Sequence, residues 1–172
     1  SLMDKLSIQL VISITDYENQ WESIKTYNNL EPRFGLRYQL TRSSSLKASY
    51  MRTAQYIHLV SNTTASTPVD IWTPSTNNIR PAIADQIAIG YFKNFENNTY
   101  ELSTEVYYKK FQNLIDYRDF ADLILNPFVE GELVFGDGFA YGSEFFIKKK
   151  YGKLNGWIGY TLATSKREFQ DV

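Results

Sequence analysis

The sequence predicts an all-β fold, an antiparallel meander of about seven strands forming a segment of a large transmembrane β-barrel. Three observations predict it. Runs of alternating apolar and polar residues recur along the chain, and period-two alternation marks a strand with two unlike faces. The connections alternate too: short turns fall near Arg42-Ser43-Ser44, Glu96-Asn97-Asn98 and Tyr151-Gly152-Lys153, and long polar loops near 17–29, 57–82 and 113–138. A soluble sheet has no reason to gather its short turns at one end and its long loops at the other, whereas an outer-membrane barrel does. The runs are also about 10–13 residues long; a membrane-spanning strand needs about 9–11, and soluble strands average five or six.

In chain order, the first run sets Leu6, Ile8, Leu10, Ile12 and Ile14 against Ser7, Gln9, Ser13 and Thr15, with Val11 as the exception. The second sets Phe34, Leu36, Tyr38 and Leu40 against Arg33, Gly35, Arg37 and Gln39. The third sets Leu46, Ala48 and Tyr50 against Lys47, Ser49 and Met51, and the fourth sets Ile87, Ile89 and Tyr91 against Gln86, Ala88 and Gly90. The fifth sets Tyr100, Leu102, Thr104, Val106 and Tyr108 against Glu101, Ser103, Glu105, Tyr107 and Lys109. The sixth sets Phe139, Tyr141, Phe145 and Ile147 against Gly142, Glu144 and Lys148. The seventh sets Leu154, Ile158, Tyr160 and Leu162 against Asn155, Gly159, Thr161 and Ser165. Arg33, Arg37, Glu101, Glu105, Lys109 and Glu144 suit a wet lumen, but alternation alone does not say which face points inward. Pro68, Pro74, Pro81 and Pro127 fall in the long loops, where a missing amide donor harms no ladder. One short helical turn is expected over Asp119 to Leu125.

Composition narrows the classes. Hydrophobic residues make up 43% and charged residues 22%, which excludes bulk disorder. Aromatic content is 16%, with 13 Tyr and 11 Phe, and this suits both strands and the aromatic girdles of membrane barrels. A net charge of −1 gives no basic excess for nucleic acid, so no nucleic-acid partner is expected. Without cysteine there is no disulfide framework or thiolate metal site. No run of about 18 apolar residues occurs, so no transmembrane helix is expected. The start Ser1-Leu2-Met3 and the close Phe169-Gln170-Asp171-Val172 read as the ends of an excised piece, with an export signal upstream.

Four segments resemble the barrel region of TonB-dependent outer-membrane receptors of the Bacteroidetes type. LEPRFGLRYQLTRSSSLKASYMR (30–52) resembles a recurrent hairpin, and IRPAIADQIAIGYFKNF (79–95) a proline-led strand ending in Gly-Tyr. YYKKFQNLIDYRD (107–119) resembles a Tyr-Tyr-Lys strand leaving into a loop. GFAYGSEFFIKKKYGKLNGWIGYTLATSKREF (138–169) resembles an Ala-x-Gly-x-Glu strand, a tight turn and an aromatic return strand. The resemblance implies a parent barrel of about 22 strands closed by an N-terminal plug, with this chain supplying about a third of the wall. Residues 1–172 then form one β-barrel fragment, with hairpins at about 5–40, 45–95 and 99–151 and a final strand at 154–166; the plug and the barrel ends lie elsewhere. It also implies the bacterial outer membrane as location, lipid as partner of the barrel exterior, and the TonB system as partner through the plug. The loops would capture a large or scarce nutrient, such as a metal chelate, a glycan or a peptide. No cofactor is expected.

Bond-making chemistry finds little support. The only histidine, His58, has no nucleophile elbow beside it and reads as a solvated loop residue. Glu101 and Glu105 share a strand face, but four residues at the strand rise separate them by about 13 Å, too far for a glycosidase pair. Asp116, Asp119, Asp122, Glu130, Glu132 and Asp137 do not match an EF-hand spacing and read as solvated loop charge. The candidate ligand contacts are therefore ring-bearing loop residues, Trp21, Tyr27, His58, Trp72, Phe120 and Phe128, because exposed rings on loops stack on ligands. Two alternatives remain: a soluble β-barrel or sandwich binding a small ligand or sugar, and a small complete eight-stranded outer-membrane protein. Cut from a barrel, the fragment would carry two unpaired edges and an apolar face, so self-association is expected.

Overall fold

A computed structural model of the chain describes residues 6–19, 25–62, 69–118, 121 and 129–169. Seven long strands form one antiparallel sheet: β1 (Leu6–Asn19), β2 (Lys25–Thr41), β3 (Ser44–Gln55), β6 (Ala82–Phe95), β7 (Tyr100–Tyr117), β8 (Leu133–Lys149) and β9 (Gly156–Phe169). Two short strands, β4 (Ile57–Asn62) and β5 (Val69–Pro74), lie between β3 and β6 in the chain and, among the described residues, pair only with each other. The sheet order β1-β2-β3-β6-β7-β8-β9 is therefore a plain meander with one excursion.

Every run with alternating residues lies in a strand of this sheet, apart from Leu154 and Asn155 at the start of the seventh, and most of the strands extend further than the alternation. The expected loop at 17–29 is largely paired backbone, since Tyr17 opposes Tyr27 and Asn19 opposes Lys25. The expected loop at 113–138 is shortened from both sides, with Asp116 opposite Val134. The expected loop at 57–82 contains the β4–β5 hairpin. Alternation ends where the strand leaves its apolar surroundings, but hydrogen bonding needs no apolar side chain, so the ladder runs on. Leu154, read as strand, lies in the turn before Gly156 and is 82% exposed. The helical turn expected at Asp119 to Leu125 falls almost entirely outside the described residues; a 3-10 turn occupies Val129–Glu132.

The short turns sit where the sequence put them. Glu96, Asn97 and Asn98 hold three successive left-handed conformations, which Asn tolerates better than most side chains, and Thr99 N–H closes the turn on Glu96 O at 3.0 Å. In β7 the register against β8 shifts between Phe111 and Leu114. Asn113 takes up the bulge in the left-handed region, and its side-chain amide donates to Pro81 O at 3.1 Å.

Register fixes what each face carries. One continuous cross-strand row reads Ile8, Leu36, Ala48, Ile89, Val106, Ser143, Leu162. The next row toward the loops reads Leu10, Phe34, Tyr50, Ile87, Tyr108, Tyr141. Stacked rings reinforce it, with Tyr108–Phe139 at 6.4 Å and Phe139–Tyr141 at 6.2 Å. This apolar face is open: Leu162 is 62% exposed, Ile8 59% and Ile89 58%. A soluble barrel would have enclosed it. On β7 the apolar side runs outward from Tyr100 to Tyr108 and stops at Lys110. From Tyr100 to Tyr108 that is about 27 Å of strand, or about 21 Å of height at a tilt near 40°, close to the height of a lipid-facing band.

Charges close the band on its loop side in a single row, Arg52, Asp85, Lys110 and, beyond Phe139, Lys166. Arg52 grips Asp85 through two hydrogen bonds of 2.8 and 2.9 Å, and the Tyr50 hydroxyl donates to the same carboxylate at 2.7 Å. This clasp joins β3 to β6 across the β4–β5 excursion. The bidentate geometry makes it more orienting than an ordinary surface ion pair.

With so much apolar surface open, we expect the chain freed of detergent to associate rather than stay a monomer. Sedimentation velocity at micromolar concentration checks this. A stable dilute monomer without detergent would contradict the assignment of the apolar face to lipid.

Candidate functional site

Most of the buried residues away from the sheet faces gather at the loop end. Ile79 is fully buried and packs with Tyr117 and Leu133, which are 8% and 4% exposed, and Ile115 and Ala121 lie against this cluster. The chain there is tied by backbone bonds: Ser75 N–H donates to Tyr56 O at 2.7 Å, Thr76 N–H to Ile79 O at 3.0 Å, and Arg118 N–H to Glu132 O at 2.9 Å. Side chains add longer ties. The Tyr27 hydroxyl donates to Thr76 O at 2.7 Å, Asn29 to the Tyr56 hydroxyl at 2.7 Å, and Asn78 to Glu130 at 2.9 Å. The β4–β5 hairpin is thus mounted on a platform built from the loop-side ends of β2, β7 and β8. Two buried hydroxyls, on Thr73 and Tyr117, have no hydrogen-bond partner among the described residues.

The hairpin has two unlike faces of its own. His58 opposes Thr73, and both are buried; Leu59 opposes Trp72, and both are exposed, Trp72 by 67%. Ile57, also exposed at 51%, continues the open side. The reading of His58 as a solvated histidine is corrected. It is 5% exposed, with Nε2 at 3.4 Å from Ser75 Oγ, and burial holds its imidazole below the ordinary histidine range. A single histidine in a polar stretch carries no pattern that reveals burial, and only the β4–β5 pairing turns it inward.

The other ring-bearing candidates fall in different places. Tyr27 stands on the β2 extension and reaches Thr76, beside the hairpin. Trp72 is its most exposed ring. Trp21, Phe120 and Phe128 lie outside the described residues. The structure brings together Tyr27, His58 and Trp72 around one hairpin. The sequence left Asn29, Tyr56 and Ser75 unmarked; they are ordinary polar residues whose role comes from partners 27 and 17 positions away.

The inner face is polar as expected. Arg33, Arg37, Glu101, Glu105, Lys109 and Glu144 all lie on the side opposite the apolar rows. Glycine keeps that face open in one place. A Cβ on Gly142 would lie 2.9 Å from the Tyr107 hydroxyl, so Tyr107 crosses β8 only because Gly142 has no side chain.

An open apolar face of membrane height, a polar reverse face, short turns at one end and a mounted loop layer at the other define the wall of an outer-membrane barrel. The comparisons give the family. The sequence model described as "TonB dependent receptor-like, beta-barrel" matches residues 4–171, and the chain belongs to that family. It is a receptor family, not an enzyme class. Among solved structures, the chain is similar to the FrpB iron transporter from Neisseria meningitidis (F3-3 variant), with a TM-score of 0.64 at 14% identity over 95% of this chain. The chain spans 24% of the length of that protein. No curated protein matches the sequence.

The pH dependence of the hairpin follows from His58. Its folded-state pKa lies below its unfolded value, so the unfolded state binds more protons as pH falls through the ordinary range near 6.5. The stability of the hairpin is therefore full above that range and lost as pH drops below it toward the lowered folded value. Hydrogen-exchange protection factors at the amides of 57–62 and 69–73 should fall on acidification, and His58→Gln should remove the dependence. Equal protection at neutral and mildly acid pH in the unsubstituted chain would contradict it.

Proposed function

We propose that this chain is part of the wall and extracellular loops of a longer TonB-dependent receptor of the Bacteroidetes type, in the bacterial outer membrane. The receptor takes up a scarce nutrient using energy delivered by the TonB system to a plug carried elsewhere in the protein. Family membership supports the receptor, the resemblance of the four segments supports the type, and coverage of about a quarter of the Neisseria iron transporter supports the longer parent. The wall contributes lipid contact outside and polarity inside, and the loops contribute specificity.

One observation carries the loop assignment: an exposed apolar edge on a braced hairpin. Trp72, Leu59 and Ile57 stand open on β4–β5 while the reverse side is buried and tied by Tyr27, Asn29 and Tyr56. Exposed rings on a rigid mount give contact area at low entropic cost. Trp72 is the leading ligand contact, followed by Tyr27. Trp21, Phe120 and Phe128 belong to the same proposal as loop aromatics, and His58 enters as a buried brace for the hairpin. The nutrient class is a metal chelate, a glycan or a peptide.

The test uses a strain whose growth depends on this receptor, with ferric chelates, glycans and peptides supplied singly. Trp72→Ala combined with Leu59→Ser should lower uptake of the productive nutrient about tenfold or more, the loss typical of a central contact, with the amount of receptor in the membrane unchanged. Unchanged uptake would remove the hairpin from the capture surface.

A further inference from the structure

We propose that the outer face of the wall, at the loop-side margin of the apolar band, binds a lipid whose headgroup is a phosphorylated sugar. The first observation is a row of charge at the height where acyl chains end. Lys110 on β7 opposes Phe139 on β8, and Phe139 opposes Lys166 on β9. The two lysines therefore flank one ring on the outer face, about 10 Å apart at the strand spacing. Both are exposed, and among the described residues neither lies within ion-pair distance of a carboxylate. Asp85 opposes Lys110 on its other side, but both of its oxygens are already taken by Arg52 and Tyr50. The row Arg52, Asp85, Lys110, Phe139, Lys166 thus carries three cations and one carboxylate, an excess that suits phosphate at a membrane surface.

The second observation is what lies above the row. Asp137 and Phe135 follow Phe139 on the same face of β8, toward the loops, and Glu168 opposes Asp137. With Asn113 and Arg80 they line a cavity of about 850 Å³. The surrounding backbone is tied. The Asn113 N–H donates to Asp137 Oδ1 at 3.3 Å, and the Asn113 side chain donates to Pro81 O at 3.1 Å, which holds the segment of Arg80 beside the bulge. Leu133, the next outer residue beyond Phe135, is buried with Ile79 and closes the upper end. Phe135 itself is open. An open ring gives a sugar a flat face to lie on, two carboxylates accept its hydroxyls, and a guanidinium offers a fork to an anionic group.

The third observation sets the lower end. Tyr108 and Tyr141 stack on Phe139 and lead down to the open side chains of Val106 and Leu162, an apolar track for acyl chains. Track, cations and cavity follow one another up one face in the order of acyl chain, phosphate and sugar. Asp137 and Glu168 stand about 7 Å above the lysine row, so phosphate is held at the lysines and hydroxyls beyond it. A plain phospholipid would leave the cavity empty, and a free sugar phosphate would leave the track bare. The site faces away from the lumen. It rests on the reading that this face meets lipid and the loops point outward.

Native mass spectrometry of the whole chain in detergent micelles tests the site with three added lipids. They are lipid A, whose acylated glucosamine disaccharide carries phosphates, the same lipid with its phosphates removed, and phosphatidylglycerol, which has phosphate but no sugar. We expect lipid A to be retained about tenfold better than either of the others. Lys110→Gln with Lys166→Gln should abolish that preference. Lys109→Gln with Arg167→Gln, the neighbours on the inner face, removes equal charge and should leave it unchanged. Retention of lipid A no better than of either other lipid, or a preference that survives loss of Lys110 and Lys166, overturns the proposal. Oxygen collision with a spin label at Val106 in bilayers separates this failure from failure of the lipid reading. A label that meets lipid, with no preference for lipid A, removes this site alone. The same label in the Lys110 and Lys166 variant should keep its oxygen exposure, which shows that variant folded.

Discussion

Every backbone N–H and C=O inside the hydrocarbon must find its partner in the protein, because the lipid offers none. The rest of the structure depends on that constraint. It favours strands long enough to cross, paired along their whole length, and it makes the register decisive. A slip of one residue would carry every apolar side chain inward and every charge outward. The observed register does the opposite without a break from Ile8 to Leu162, through six successive strand pairs. The weak place is the β3–β6 pair, whose strands are separated in the chain by the β4–β5 excursion. There the Arg52–Asp85 clasp, with Tyr50 bound to it, fixes which residues meet.

The constraint also explains why the proposed capture surface lies above the band. A wall bound by lipid outside and by a continuous ladder within has little freedom along its spanning length. Variation belongs above the band, on the hairpin mounted by Tyr27, Asn29 and Tyr56, and on the inner side chains, which face water. The inner face uses that freedom unevenly. The directly opposed cations Arg37 and Lys47 lie on β2 and β3, the directly opposed carboxylates Glu105 and Glu144 on β7 and β8, and Gly90 stands in the same row between the two pairs.

The fold was largely legible because spanning strands announce themselves. Alternation in residues such as Leu36, Tyr38 and Leu40 against Arg37 and Gln39 leaves only the choice of inside and outside open, and connection lengths and family resemblance favoured lipid. The strand ends were not legible. Tyr17 pairs with Tyr27 and Asp116 with Val134 through backbone bonds that leave no mark on side-chain patterning. The β4–β5 hairpin was hidden for another reason: His58 and Thr73 on its buried side are polar, so the segment reads as a loop. Trp72 was legible as an exposed ring, and the burial of His58 was not, since it depends on Ser75 and the platform beneath. The opposed pair Arg37 and Lys47 was visible only as two cations until the register brought them face to face.

The central claim is that the apolar face meets lipid and the polar face meets water. The chain contains no cysteine, so single cysteines can be placed without background. Spin labels at Glu105 and Val106, neighbours on opposite faces of β7, would be examined in bilayers for collision with oxygen and with a water-soluble nickel chelate. The account expects the label at 106 to meet oxygen and the label at 105 to meet the chelate. The reverse result, or equal exposure of both to the chelate, would contradict it.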